Sequence, residues 1–398
     1  MSNPIYLDNN STTPVDERVL KEMIPYFTKF FGNASSKQHS FGWIAEDAVQ
    51  LARERVKVLL DADPEDTLVF TSGATESINM ILRGIYKNYG HLQKQIISCK
   101  TEHSAVLETL QDLELQGAKI RYIPVLPSGL VDLNALEEVL KTPSILVVIM
   151  TANNETGVIQ PIEDIVKLSH SAGAYVFSDA TQSFGKVKLS VKETGLDFLA
   201  CSSHKIFGPK GIGGLFIKKK RPEIKIHPLI TGGGQENELR GGTLNVPGIV
   251  GFGKAADLAR QFRDQEGPKI EKWRNDLEKK LLEIPFSYIN GHSSPRLPHV
   301  TNLRFDYIQA SQLLALLPEI AFSTGSACNS SRPEPSHVLL NMGLNKIEAK
   351  SSFRLALGRM NTEEEIQLAS QRIEQAIVKL RIEHPKWKKS EIKTLLDD

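Results

Sequence analysis

Lys205 stands in Ser202-Ser203-His204-Lys205, directly after the apolar run Phe198-Leu199-Ala200-Cys201. Asp179 stands 26 positions earlier in Ser178-Asp179-Ala180-Thr181-Gln182, directly after Tyr175-Val176-Phe177. A lysine at a desolvated strand end can have a lowered pKa and form an imine with an aldehyde. An aspartate placed near it could hold a pyridinium nitrogen protonated. Thr71-Ser72-Gly73-Ala74-Thr75-Glu76-Ser77 runs into the helical Ile78-Asn79-Met80-Ile81-Leu82. Backbone N–H groups are free at such a helix start, and the helix dipole favours an anion there. An imine-forming lysine, an aspartate partner and a phosphate cup are the requirements of pyridoxal phosphate. Each piece also has an ordinary reading: a surface lysine in a loop, a satisfied loop histidine at His204, a well-capped helix at Thr75.

Two further apolar runs end in polar residues. Thr101-Glu102-His103 follows Ile96-Ile97-Ser98-Cys99, and Thr151-Ala152-Asn153-Asn154-Glu155-Thr156-Gly157 follows residues 145–150. Five strand ends in succession bearing Thr, His, Asn, Asp/Gln and Ser/His/Lys point to a composite polar pocket. Later, Thr231-Gly232-Gly233-Gly234-Gln235 and Arg240-Gly241-Gly242-Thr243 form a donor-rich loop pair that could reach a phosphate or serve as a glycine-rich linker. Cys328 lies among small polar residues in Ser323-Thr324-Gly325-Ser326-Ala327-Cys328-Asn329-Ser330-Ser331-Arg332-Pro333. An exposed cysteine near donors can be a thiolate nucleophile, whereas Cys99 and Cys201, on apolar strands, read as inert core residues.

The elements that must position these residues read as an α/β fold. Short apolar runs without polar alternation, separated by amphipathic stretches, indicate a mostly parallel sheet covered on both faces. In such sheets ligands sit beyond the carboxyl ends of the strands. After about residue 255 a long charged helix over residues 255–282 leads into shorter strands and two more helical stretches, a smaller α+β domain. The reading divides the chain into a large domain over residues 16–255, a small domain from residues 1–15 and 256–385, and a polar tail over 386–398.

The chain has 398 residues, a net charge of +1, 40% hydrophobic and 24% charged residues, enough to bury a sizeable core. Near-neutrality argues against a nucleic-acid footprint, and the one basic run, Lys218-Lys219-Lys220-Arg221, reads as a solvated strand end. No apolar stretch is long enough to span a bilayer, and Met1-Ser2-Asn3-Pro4 lacks the features of a secretory signal. Three cysteines, none spaced as C-x-x-C, make neither a disulfide framework nor a zinc site. A cytoplasmic protein with reduced thiols and no membrane contact is expected.

The motifs in their order resemble the pyridoxal phosphate-dependent cysteine desulfurases of the NifS/IscS type. Tyr6-Leu7-Asp8-Asn9-Asn10-Ser11-Thr12-Thr13-Pro14 joins the segments above, together with His204-Lys205-Ile206-Phe207-Gly208-Pro209-Lys210-Gly211 and Gly325-Ser326-Ala327-Cys328. The resemblance runs from about residue 4 to 380. It implies a fold-type I homodimer of the class V aminotransferase kind, with Lys205 carrying the cofactor, Asp179 on its ring nitrogen, Gln182 on its ring hydroxyl and His103 stacked on the ring. Ala74, Thr75, Ser202 and His204 would hold the phosphate, with Thr243 reaching it from the partner subunit. Asn154, beside the cofactor, and Arg354 would bind the carboxylate of L-cysteine, which a bidentate guanidinium suits.

Cys328 would take the sulfur as a persulfide and pass it to an acceptor protein, an iron–sulfur scaffold or a thiolation relay. The only metal role implied is a transient iron–sulfur ligand at Cys328. Ser203 and Asn10-Ser11 depart from the commoner versions, and the tail after Pro385 does not look like an acceptor-docking tail. Within enzymes the rival is a selenocysteine lyase or another class V enzyme that does not use Cys328. Outside enzymes it is a non-catalytic sulfur-binding or iron–sulfur scaffold protein, and three scattered cysteines disfavour a cluster site within one chain.

Overall fold

The computed structural model describes residues 4–92, 94–324, 334–384 and Trp387. Cys328 and the expected tail, Trp387 apart, lie outside the described residues. The strands are β1 (Ile5–Tyr6), β2 (Thr67–Thr71), β3 (Gln95–Cys99), β4 (Lys119–Ile123), β5 (Ser144–Val148) and β6 (Tyr175–Asp179). They continue with β7 (Phe198–Ser202), β8 (Gly213–Ile217), β9 (Ser287–Ile289), β10 (Val300–Phe305), β11 (Ile320–Ala321) and β12 (Ser352–Ala356). The longer helices are α1 (Ser40–Leu59), α2 (Ala74–Tyr89), α3 (Ser104–Leu115), α4 (Leu133–Leu140), α5 (Ile162–Ser171), α6 (Val246–Leu282) and α7 (Glu363–Glu383).

Seven strands form the central sheet in the order β2-β8-β7-β6-β5-β3-β4, with only β8 antiparallel to its neighbours. All five residues of β3, β5, β7 and β8 are buried, as strands covered on both faces must be. The expected α/β architecture is there, and the four apolar runs named above form β3, β5, β6 and β7. The seventh strand, β4, escaped the reading because it is an edge strand: Lys119 and Arg121 are exposed, so it never shows an apolar run.

The expected helix over 255–282 begins nine residues earlier, at Val246. Gly248, Gly251 and Gly253 depress helix propensity there, but the first of these turns is packed inside the core. At Gly253 a Cβ would lie 2.5 Å from the Ala52 Cα, so α6 and α1 cross with their backbones nearly touching. The amino-terminal part of α6, through Ala259, belongs to the core under the large sheet, and Ile270, Trp273, Leu277 and Leu281 to a second core. That second core lies between α7 and the antiparallel sheet β12-β10-β9, and it includes Ile5 and Leu7. The amino terminus reaches it because β1 pairs parallel with β11.

The basic run near residue 220 is not a simple solvated strand end. Lys220 forms an ion pair with the buried Asp197 and lies over the Tyr175 ring. Asp197 also accepts from His170 Nε2 and from Val176 N, each at 2.8 Å, and so locks β6 to β7 at the edge remote from Lys205.

The α1–α6 crossing predicts that Gly253→Ala destabilises the fold by about 2 kcal/mol through overpacking. A urea-unfolding midpoint unchanged from wild type would show that the helices can separate without cost.

Candidate active site

Because β2, β3, β5, β6 and β7 run in one direction, their carboxyl ends share one edge of the sheet. That edge gathers Thr71 to Thr75, His103, Asn153 and Asn154, Asp179 to Gln182, and Ser202 to Lys205, five segments separated by up to 134 residues of sequence. The stretch from Asp8 to Thr13 crosses the same edge. Its own hydrogen bonds hold it there: Thr13 N and Thr13 Oγ1 each donate to the His204 carbonyl at 3.0 Å, and Asn10 Nδ2 donates to the Asn154 carbonyl at 3.0 Å.

Lys205 ends a short 3-10 turn after β7, and its Nζ donates to the carbonyls of Asn10 and Ser11, the latter at 2.7 Å. Gln182 Nε2 donates to the same Asn10 carbonyl at 3.0 Å. Asp179, the last residue of β6, accepts from Thr181 N at 2.9 Å and is 7% exposed. His204 Nδ1 lies 3.1 Å from the Thr12 hydroxyl. Burial, then Lys205, Lys210 and Lys186, push its imidazole down to about 4, so it is neutral at neutral pH. His103 caps α3, its Nδ1 accepting from Ala105 N at 3.1 Å.

Beneath His103, Glu102 is fully buried. Its Oε1 accepts from Met150 N at 2.7 Å, while Oε2 has no partner among the described residues. Burial raises this carboxyl to about 8, against the Met150 hydrogen bond and with help from the Asp179 charge. Burial also pushes the Cys99 and Cys201 thiols upward, in keeping with inert core cysteines.

At the start of α2 the amides of Ala74, Thr75 and Glu76 precede the first helical hydrogen bond, Ser77 N to Gly73 O. Thr75 is exposed and Ser202, at the end of β7, is buried. A Cβ on Gly213 would lie 2.7 Å from the Gly73 Cα, so the missing side chain lets the α2 entry press onto β8. Arg240 of the glycine-rich loop pair donates from Nε to Glu76 Oε1 at 2.9 Å, and Ser72 N donates to Glu76 Oε2 at 2.7 Å. Burial opposes the Glu76 charge, but these bonds outweigh it and keep its pKa below the ordinary value. Behind the loop, Glu236 accepts from Arg53 and from Phe70 N, anchoring it to β2. Thr243 is exposed at the far end of the loop.

Arg354, on β12, is buried. Nη2 donates to Asp8 Oδ1 at 2.6 Å and to Ser11 Oγ at 2.9 Å, Nη1 donates to the Asn154 carbonyl at 2.8 Å, and Nε has no partner among the described residues. Ser323 pairs with Arg354 through two backbone hydrogen bonds. On the other flank of residues 325–333, Ser336 donates to the buried Glu155 carboxylate at 2.5 Å, and His337 Nε2 donates to the Glu102 carbonyl at 3.0 Å. Both described flanks of the segment containing Cys328 are thus fixed beside Arg354 and His103.

Sequence reasoning missed Asn10, Lys186, Glu102 and Glu155 as parts of this site. Lys186 carried one readable signal, its spacing of four from Gln182, one helical turn. The other three show their importance only through non-local contacts, Glu102 with Met150, Glu155 with Ser336 and Asn10 with His299, 48, 181 and 289 positions apart.

A reactive amine, a buried carboxylate and a cup of helix-start amides with hydroxyls meet at one strand-end edge. That donor set fits pyridoxal phosphate, with Lys205 for its aldehyde, Asp179 for its ring nitrogen and the α2 entry for its phosphate. The fold and site define a pyridoxal phosphate enzyme with a mostly parallel sheet. The family model for class V aminotransferases matches residues 5–368, and the chain belongs to that family. It is 42% identical over 388 residues to the cysteine desulfurase IscS of Rickettsia felis, covering 96% of this chain and 93% of that protein. A solved NifS-like protein aligns with a TM-score of 0.87 at 38% identity, over 94% of this chain and 99% of its own. SspA, solved in complex with cysteine, aligns with a TM-score of 0.78 at 33% identity, over 89% of this chain and 98% of its own.

The raised pKa of Glu102 has a consequence for stability. The folded carboxyl keeps its proton above the unfolded pKa, so its contribution to stability is present at low pH and is lost as pH rises toward 8. Glu102→Gln should therefore gain stability over wild type between pH 5 and pH 8, read as thermal unfolding at both values. A difference that does not grow with pH would show that Glu102 is ionised in the folded protein.

Proposed function

We propose that the chain is a pyridoxal phosphate-dependent cysteine desulfurase that converts L-cysteine to L-alanine and leaves the sulfur as a persulfide on Cys328. The observation that carries this reading is the Lys205 amine, held on the Asn10 carbonyl at the strand-end edge that also holds Asp179, in a chain similar to IscS over nearly its whole length. The solved neighbour with bound cysteine supports cysteine as the substrate.

The cofactor, when bound, withdraws electrons from the substrate α-carbon. Asp179 would keep its ring nitrogen protonated, Gln182 would donate to its ring hydroxyl and His103 would cover its ring. Ala74, Thr75, Ser202 and His204 hold its phosphate. Asn154 flanks the ring, and Arg354 takes the substrate carboxylate, to which its unpartnered Nε gives one donor. Lys205, as an unprotonated amine, removes the α-proton and returns a proton to the product. The Cys328 thiolate attacks the substrate sulfur; the new S–S bond forms as the C–S bond breaks, and the electron pair stays with the carbon skeleton. The persulfide then passes to an acceptor protein, an iron–sulfur scaffold or a thiolation relay, in the cytoplasm.

A homodimer completes the site, with Thr243 of a second copy on the phosphate. Ile24, Phe27, Phe31, Phe41 and Trp43 support it, since each is about half exposed or more and such an apolar patch suits a partner.

Alanine release from L-cysteine with a reductant tests the reading. Cys328→Ala should lower it at least about a hundredfold while keeping the visible absorption of the cofactor, and Lys205→Ala should lose that absorption. Equal alanine from wild type and Cys328→Ala would favour a lyase that does not use the thiol. Arg354→Lys, which loses the planar fork, should raise the KM for cysteine by about tenfold or more.

A further inference from the structure

Lys186 has no part in the reading above, yet its amine is enclosed within the site. Nζ lies 3.2 Å from Gln182 Oε1, 3.4 Å from Asn10 Oδ1 and 3.0 Å from His299 Nε2. None of these partners is a carboxylate, although the lysine is half-buried. His299 Nε2 is in turn 2.8 Å from Asn10 Oδ1.

These contacts allow one consistent placement of protons. Asn10 Nδ2 donates to the Asn154 carbonyl, so Asn10 Oδ1 is an acceptor and His299 Nε2 must carry the hydrogen it receives. That one hydrogen is shared: it points mainly to Asn10 Oδ1, and Lys186 Nζ, 3.0 Å from the same nitrogen, takes part as an acceptor through a lone pair, as a neutral amine does. Its two hydrogens remain for Gln182 Oε1 and Asn10 Oδ1.

The surroundings favour the same state. Burial, then Lys205 and Arg354, lower the Lys186 pKa well below the ordinary value, and burial, then Lys186, Arg274 and Arg354, do the same to His299. The nearby carboxylates are engaged elsewhere: Asp8 with Arg354, and Asp16 and Glu266 with Arg359. Asp179 accepts from the Thr181 amide at the cofactor side. His204 and Lys210 add no negative charge, and neither does Arg263, the other charged residue of α6 lining the small cavity behind Lys186.

We propose that Lys186 is a positioning residue for the reactive amine: with His299 it clamps the Asn10 side chain, and thereby the main-chain carbonyl that receives Lys205 Nζ and Gln182 Nε2. The clamp holds Asn10 from one side while Asn154 holds it from the other, without adding a cation beside Lys205. The proposal rests on Lys205 being the amine that carries the cofactor.

The test uses holoenzyme and two readouts, the pH midpoint of the visible cofactor absorption and the separation of kcat from KM. Lys186→Met removes the clamp but no charge. Its midpoint should stay within about 0.3 pH units of wild type, while kcat falls about tenfold and KM for cysteine changes less than about twofold. Lys186→Arg installs a permanent cation and should lower the midpoint by about one unit, a tenfold loss of proton affinity. Wild-type kcat in Lys186→Met would overturn the proposal, as would a midpoint raised by a unit, which would mean that Lys186 is charged. Should Lys186→Met fail to fold, His299→Leu releases Asn10 from the same side and is judged by the same measurements. A titrating band that survives Lys205→Ala would instead remove the assignment of Lys205 itself.

Discussion

The main-chain carbonyl of Asn10 accepts from Lys205 Nζ and from Gln182 Nε2, while the Asn10 side chain bridges the Asn154 carbonyl to His299 and Lys186. A carbonyl oxygen has two lone pairs, and here both are taken by side chains from different strand ends. Arg354 adds a second tie, since Nη1 shares the Asn154 carbonyl and Nη2 holds Asp8 and Ser11 of the same stretch. The turn over residues 9–11 therefore does what no side chain of the sheet could do alone. It fixes the spacing between Lys205, Gln182 and the Arg354 guanidinium.

The stretch can do this because it belongs to both cores. Ile5 and Leu7 are buried with α7 and the antiparallel sheet, whereas Thr13 and Asp16 hydrogen-bond to the His204 and Phe207 carbonyls beside the large sheet. Helix α6 makes the same connection further along, with apolar residues in each core. The Arg354 side of the site and the Lys205 side are thus connected by covalent chain at two places. A reaction that needs the carboxylate and the α-carbon of one substrate held together gains from that rigidity.

The electrostatics follow from the same crowding. Lys205, Lys186, His204, His299 and Arg354 are potential cations, and burial removes the water that would screen them from one another. His204 and His299 are neutral, and Lys186 is driven the same way. Arg354 is paired with Asp8. On the opposite side Glu102 keeps its proton because a charge there would be desolvated and close to Asp179. Few charges remain in the site, which leaves the Lys205 and Asp179 groups dominant.

Much of this was legible along the chain. Runs such as 145–150 and 198–201 announce strands buried on both faces, and the polar residues that follow them mark the reactive edge, because a parallel sheet puts all its carboxyl ends together. The edge strand β4 was hidden because pairing on one side leaves Lys119 and Arg121 free to face water. The start of α6 was hidden because glycine disfavours a helix locally, while close packing against Ala52 demands it. The types and order of Lys205, Asp179, His103 and Thr75 were enough to indicate the cofactor chemistry. Only the tertiary structure decided that Asn10 is the hub, that Lys186 sits beside it without an acid partner among the described residues, and that Glu102 is buried without its charge. Those facts depend on distances between residues up to 289 positions apart and on the loss of water around them, neither of which has a local signature in the sequence.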